Sequence, residues 1–240
     1  MFIFYQGDEN MLLKLVNFVR VVVIVSAIPV FLVTTNTRLV INAPSLYQTG
    51  FEKYQIERVT GIEYDQLISA SEQIGDYFNN DDIDLIIKVS KHGEVVNSLF
   101  NEREIAHMQD VKSLVKGVYV VQWISLFIIL LAIAAGYFIT KGNKFGTLIR
   151  DLGRGGKLTL ALTLLVGLLS LVGFERLFLY FHLFSFSNDL WILDPTRDYL
   201  LMMFPESFFF DATIYIAIAT VIESSILTII PRILRIFWNV

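Results

Sequence analysis

Cysteine is absent from this 240-residue chain, which removes disulfides, thiolate nucleophiles and cysteine-ligated metal sites together. Charge is scarce. Only 18% of residues are charged, against about 25% in soluble domains, so much of the surface is solvated by something other than water. The net charge of −4 argues against nucleic acid as a partner. Histidine occurs three times, never within the core of a long apolar run. Five prolines and fourteen glycines leave no collagenous or low-complexity segment, and no internal repeat is visible. There is no HExxH, no G-x-S-x-G elbow and no nucleotide motif, so zinc hydrolase and serine hydrolase chemistry have little support.

What the chain does contain is long apolar runs, with 55% hydrophobic and 14% aromatic residues. Four runs, at residues 18–35, 117–140, 158–180 and 208–231, approach or exceed the roughly 20 apolar residues a helix needs to cross a bilayer. The first is the shortest and carries Pro29, and no small-x-small cleavage site follows it, so it reads as a retained helix. The segment "KGNKFGTLIRDLGRGGK", residues 141–157, has five lysines or arginines against one aspartate, which marks a basic cytoplasmic loop under the positive-inside rule. Lys14 and Arg20, in or near the N-terminal tail (1–17), and Arg232 and Arg235, in the C-terminal tail (232–240), agree. Residues 36–116 and 181–207 are then expected outside the cytoplasm. The expected fold is an α-helical integral membrane protein, four transmembrane helices with a small α+β extracytoplasmic cap.

Within the cap region, "YDQLISASEQIGDYF" places Leu67, Ser71, Ile74 and Phe78 on one helical face. "IDLIIKVS" and "VVNSLF" flank "KHGE", which reads as a β-hairpin with His92 exposed in its turn. "NEREIAHMQDVKSLVKGVYVV" has helical spacing that runs unbroken into the second span. About 80 residues make a cap too small for a well-filled core of its own.

Polar groups concentrate at the outer edge of the spans. His107 shares a helical face with Arg103, Glu104, Asp110 and Val111. His182 directly follows the third span, with Glu175 one to two turns inward, and Asn188 and Asp194 follow in the same loop. Histidine alone gives and takes protons near neutrality without perturbation, and a pair can act as base and acid in one reaction. Asp110, Glu175 or Asp194 are candidates for fixing an imidazole tautomer, and Arg103, Asn188 and Arg176 for donating to an oxyanion. Aromatics crowd the same region: Phe178, Tyr180, Phe181, Phe184, Phe186, Trp191 and the phenylalanines at 204 and 208–210. They exceed an interfacial belt and suit a pocket for lipid chains. "EIAH" occurs once and outside the bilayer, which argues against a carboxylate-bridged metal site, and no cofactor is expected. Within the fourth span, Glu223 is expected to pair with Arg20.

"REIAHMQDVK" before a span, "FHLFSFSNDLWILDPTRDYLLMMFPESFF" between the third and fourth spans and, less specifically, "NTRLVINAPSLY" resemble the lipoprotein intramolecular transacylase family. The resemblance implies a multi-pass protein of the bacterial cell membrane with cytoplasmic termini. It further implies an acyltransferase that moves the sn-2 acyl chain of a diacylglyceryl-cysteine lipoprotein to the cysteine α-amino group, giving the N-acylated lyso form. Its partners would be diacylated lipoproteins and membrane lipids. The family's two catalytic histidines fall on His107 and His182. An esterase hydrolysing the same bond, by an activated water or by Ser185 or Ser187, and a non-enzymatic lipid-binding protein are the alternatives.

Overall fold

The computed structural model of the chain describes the backbone of residues 5–91, 93–139 and 145–238, and the side chains of 11–91, 93–138 and 146–234. It is almost entirely helical: α1 (Tyr5–Ile41), α2 (Pro44–Lys53), α3 (Ile56–Thr60), α4 (Tyr64–Asn79), β1 (Val89–Lys91), β2 (Glu94–Val96), α5 (Glu102–Ile139), α6 (Phe145–Ser185), α7 (Tyr199–Met203) and α8 (Glu206–Trp238). Helices α1, α5, α6 and α8 each contain a stretch long and apolar enough to cross a membrane. Thirty-eight residues of α5 span about 57 Å at 1.5 Å per residue, well beyond a hydrocarbon core of about 30 Å. The charged portion 102–116 therefore lies outside the apolar stretch that begins at Gly117.

The chain divides into two compact units. One comprises residues 1–36, 120–166 and 217–240. Its apolar centre is small: Ile24, Ala27 and Ile28 of α1 against Ile129 and Ala132 of α5, with Leu148, Leu152 and Leu227 alongside. Most other large side chains of these helices face outward, as helices solvated by lipid require. The buried charged groups of this unit, Arg20 and Asp151, are paired. Asp151 is fully buried and its carboxylate meets the Arg20 guanidinium at 2.6 Å and that of Arg154 at 2.8 Å. The Asn36 amide donates to Glu223 at 2.7 Å and to Thr220 at 3.0 Å.

This corrects the expected Arg20–Glu223 pair. Asp151 was assigned to a loop at 141–157, but α6 begins at Phe145 and makes it a helix residue. A carboxylate with no exposure needs a cation more than a half-buried one does. The glycines of "DLGRGG" are helical for a related reason. A Cβ on Gly153 would lie 2.6 Å from Pro231 Cγ, and one on Gly156 would lie 2.9 Å from Leu227 Cβ. They permit close helix packing within what the charge pattern marks as a loop. The expected N-terminal tail is likewise helical from Tyr5.

The second unit comprises residues 37–119 and 167–216. In α4, Leu67, Ser71, Ile74 and Phe78 are buried, as the spacing predicts. The hairpin forms with Val89 opposite Val96 and Lys91 opposite Glu94, and Gly93 takes the positive φ of its turn. His92 lies outside the described residues. The core of this unit joins α2, α3, α4 and the hairpin to Met108 and Val115 of α5, and to Leu200, Met203, Phe204 and Phe208. The last four come from α7 and the start of α8, so the segment at 36–116 does not fill its core alone. Where α2 meets α8 the contact is tight: a Cβ on Gly50 would lie 2.5 Å from the Phe208 ring.

Candidate active site

The second unit brings the two histidines together. His107 sits in the second turn of α5 and is buried; His182 sits in the last turn of α6 and is half-buried. Residues 181–185 thus continue α6 and do not belong to the loop expected at 181–207. The imidazole centroids are 6.2 Å apart. Aromatic rings enclose them: Phe186 lies 5.2 Å from His107 and 5.7 Å from His182, while Phe178, Trp191 and Phe181 lie 4.4, 5.0 and 5.3 Å from His182. Phe178 is backed by Phe209 at 4.9 Å and Phe209 by Phe208 at 5.7 Å.

The two imidazoles differ in what holds them. Nδ1 of His182 lies 2.7 Å from the Phe178 carbonyl oxygen. A carbonyl only accepts, so the neutral ring carries its proton on Nδ1 and keeps a basic lone pair on Nε2. Nδ1 of His107 is buried with no protein partner. Burial lowers the basicity of both rings: that of His107 falls to about 4, helped by the neighbouring His182, while the Phe178 carbonyl partly offsets the fall at His182. Both are therefore neutral at pH 7.

The loop after α6 is clasped to α5 on either side of His107. Asn188 donates its amide to Asp110 at 2.8 Å, three residues after the histidine. Arg103, four residues before it, donates to the Asp189 carbonyl and lies 3.6 Å from the Asp189 carboxylate. Between these clasps the loop turns tightly. Leu190 N–H donates to Asn188 Oδ1 at 3.1 Å, and the Trp191 indole N–H donates to the Asn188 carbonyl at 2.9 Å. That turn sets Trp191 against His182. Four of the expected supporting residues, Arg103, Asp110, Asn188 and Trp191, are thus assembled around the histidines, although none hydrogen-bonds an imidazole.

Three are not assembled there. Glu175 and Arg176 are exposed on α6, and Gly173, with non-helical angles, interrupts the helix just before them. Glu175 lies on the His182 side of that kink, on unbroken helix, yet its side chain is exposed and no hydrogen bond or ion pair among the described residues joins it to either histidine. Asp194 accepts from the Thr196 hydroxyl and amide at 2.7 and 2.9 Å and lies 3.6 Å from Arg197. The Thr196 contacts hold its carboxyl below the usual carboxylate range. Asp194 caps its own loop, and the Phe178 carbonyl fixes the His182 tautomer instead. Among the described residues, no hydrogen bond joins Ser185 or Ser187 to His182, and no group of three metal-ligating side chains occurs.

Asn101 and the capping role of Glu104 escaped the sequence reading. Asn101 Oδ1 accepts the Glu104 N–H at 3.0 Å, and Glu104 Oε2 accepts the Asn101 N–H at 2.7 Å. This is a reciprocal capping box at the start of α5, and its signature, Asn-x-x-Glu in "NERE", was legible one turn before His107.

A family model described as "Lipoprotein intramolecular transacylase Lit" matches residues 22–209. The fold is similar to an in meso structure of Lit from Bacillus cereus, with a TM-score of 0.79 and 21% identity over 94% of this chain and 99% of that one. It is also similar to a variant of that protein with a histidine replaced by arginine, at a TM-score of 0.77 and 21% identity over 97% and 98% of the two chains. An uncharacterized protein of Aquifex aeolicus (strain VF5) is 29% identical over 119 residues, a match that spans half the length of either protein.

Proposed function

The chain belongs to the lipoprotein intramolecular transacylase family, and from that premise we propose that it moves the sn-2 acyl chain of a diacylglyceryl-cysteine lipoprotein to the α-amino group of the same cysteine. The observation that carries the reading is the pair of neutral imidazoles 6.2 Å apart in an aromatic enclosure, one of them with a free buried nitrogen. Such a pair suits a reaction that takes a proton at one atom and returns one at another.

The amine and the ester belong to one substrate molecule, so no enzyme nucleophile is needed. The α-amino group, with an ordinary pKa of about 7.7–8.0, enters the reaction as the free amine after losing a proton to solvent. It attacks the ester carbonyl. His182, whose Nε2 is the basic nitrogen, takes the proton from the attacking nitrogen as the C–N bond forms. That proton reaches the glycerol oxygen through the imidazole pair as the C–O bond breaks. The balance is amine plus ester giving amide and alcohol. A site that disfavours imidazolium makes the charged pair a strong acid. Arg103 is the candidate donor to the oxyanion, because its guanidinium lies one turn from His107 and its Nε has no partner in the protein. Exposed Phe181, Leu183, Phe184 and Ile192 beside His182 supply apolar surface for the acyl chains. Holding amine and ester together supplies much of the rate, since well-oriented intramolecular reactions reach effective molarities of about 10⁵–10⁸ M.

Tandem mass spectrometry of a diacylglyceryl-cysteine lipopeptide incubated with the purified protein tests the reading. Transacylation is an isomerisation, so the parent mass stays constant while one acyl group moves onto the N-terminal fragment. Release of free fatty acid would instead identify an esterase. We place the second unit, with the histidines, on the extracytoplasmic side. Because the chain has no cysteine, single cysteines introduced at exposed Val95 and Arg150 give a clean test: an impermeant thiol reagent should label only the former in intact cells.

A further inference from the structure

Glu104 is the least exposed charged residue of the second unit, at 1% exposure, yet no cation pairs with it. Its carboxylate instead accepts two backbone N–H groups from different parts of the chain. Oε2 takes that of Asn101 at the start of α5, at 2.7 Å, and Oε1 takes that of Leu200 in the first turn of α7, at 2.6 Å. The capping box uses one oxygen, and the other is spent on a segment 96 residues away.

The same junction is tied a second time. Asn101 donates its side-chain amide to Asp198 at 3.0 Å, and the buried Asp198 accepts the Asp194 N–H at 2.7 Å. A third tie comes from Lys91, which donates to the Tyr199 hydroxyl at 2.8 Å. Every tie ends on residues 194–200, the stretch that follows Trp191. Glu104 also lies three residues before His107, on the same face of α5. One carboxylate thus registers the helix that carries His107 against the loop whose indole packs on His182.

We propose that Glu104 is a positioning residue for the histidine pair: its two backbone contacts set the spacing between His107 and the Trp191-backed face of His182. Burial in apolar surroundings makes a carboxylate expensive unless its lone pairs are used, so a shared capping role accounts for an acid here where a glutamine would cap one end only. A glutamine has one carbonyl oxygen, and its NH2 would face the second backbone N–H donor. E104Q therefore leaves one of the two ties broken while filling the same volume. Displacement of a catalytic group by about 1 Å costs up to about 100-fold in rate.

The inference rests on the transacylase reading, and its test separates the two. E104Q is compared with wild type and with K112M, which removes a buried lysine hydrogen-bonded to Asn80 and to the Asp82 carbonyl on the same helix without touching the site. Two readouts are taken: kcat and KM for the lipopeptide, and the imidazole resonances of protein labelled at its three histidines. For E104Q the expected result is a kcat about 10- to 100-fold lower with KM within about twofold, and shifted resonances for His107 and His182 but not His92. K112M should lower the melting temperature with kcat unchanged. Unchanged kcat in E104Q overturns the proposal, as does a loss matched by K112M at equal melting temperature. If wild type does not transacylate, the functional reading falls, and the resonances alone decide: unshifted His107 and His182 signals in E104Q overturn the positioning role.

Discussion

The buried charges of the first unit and the buried imidazole of the second are treated in opposite ways. In the first, Asp151 has no exposure and meets two guanidinium groups, while Glu223 accepts from Asn36. In the second, His107 is nearly as buried but leaves Nδ1 without a partner, and the imidazole beside it belongs to His182. A buried polar group left unpaired costs about 1–3 kcal/mol. The first unit avoids that cost by pairing its charges. The second accepts it with a group that is neutral and can wait for a substrate to complete it. Buried Glu104, Lys112 and Asp198 of the second unit are hydrogen-bonded too, so the unpartnered imidazole nitrogen stands apart from them.

The sharpest way to break this contrast is to remove the imidazoles. His107→Asn and His182→Asn should each lower kcat by about 10²–10⁴-fold, the usual contribution of acid–base catalysis, with the protein still folded. Lipopeptide turnover checks this, and a folded variant of normal activity would return the pair to a structural role. Asp151→Asn should do the reverse. It leaves Arg20 buried with weaker compensation and should cost up to about 3–5 kcal/mol of stability, seen as a lower melting temperature in detergent, with kcat of the surviving folded protein unchanged.

A smaller effect is expected at the clasp. Asn188→Ala removes the contact to Asp110 and the acceptor for Leu190 N–H, so Trp191 should loosen against His182. Rate should fall about tenfold, in line with one to two lost hydrogen bonds at about 0.5–1.5 kcal/mol each, and Trp fluorescence should shift towards that of an exposed indole. The last effect is in the dependence of stability on pH. The basicity of His107 is lowered to about 4 by burial, while the unfolded chain protonates near pH 6.5. Between those values the unfolded state binds the proton and the folded state does not, so stability should fall as pH drops from 6.5 towards 4. His107→Asn should flatten that slope in a melting-temperature series.

Much of this was legible in the residues. Apolar runs longer than any soluble helix requires announce the four spans. The 3.6-residue spacing in "YDQLISASEQIGDYF" gives α4, and the turn chemistry of "KHGE" gives the hairpin. The two histidine motifs are unusual enough to reveal the family. The misreadings share one cause. "DLGRGG" reads as a loop because it lies in a basic stretch between two apolar runs, yet its glycines serve helix contacts that only a neighbouring chain segment creates. Turn counting joins Glu175 to His182 along unbroken helix, yet Glu175 is exposed, because only the neighbouring segments decide what each turn of that helix meets.

Sequence by itself determined which stretches are apolar enough to enter lipid, because hydropathy is a property of each segment taken alone, and narrowed the candidate site residues, because few titratable side chains flank the ends of those stretches. Tertiary structure decided the pairings. That Arg20 takes Asp151 and leaves Glu223 to Asn36, that Phe178 orients His182, and that Glu104 reaches Leu200 all depend on residues far apart in the chain arriving within hydrogen-bonding distance. Such contacts are selected by the competition among all partners for each buried donor and acceptor, a competition that exists only once the helices have packed.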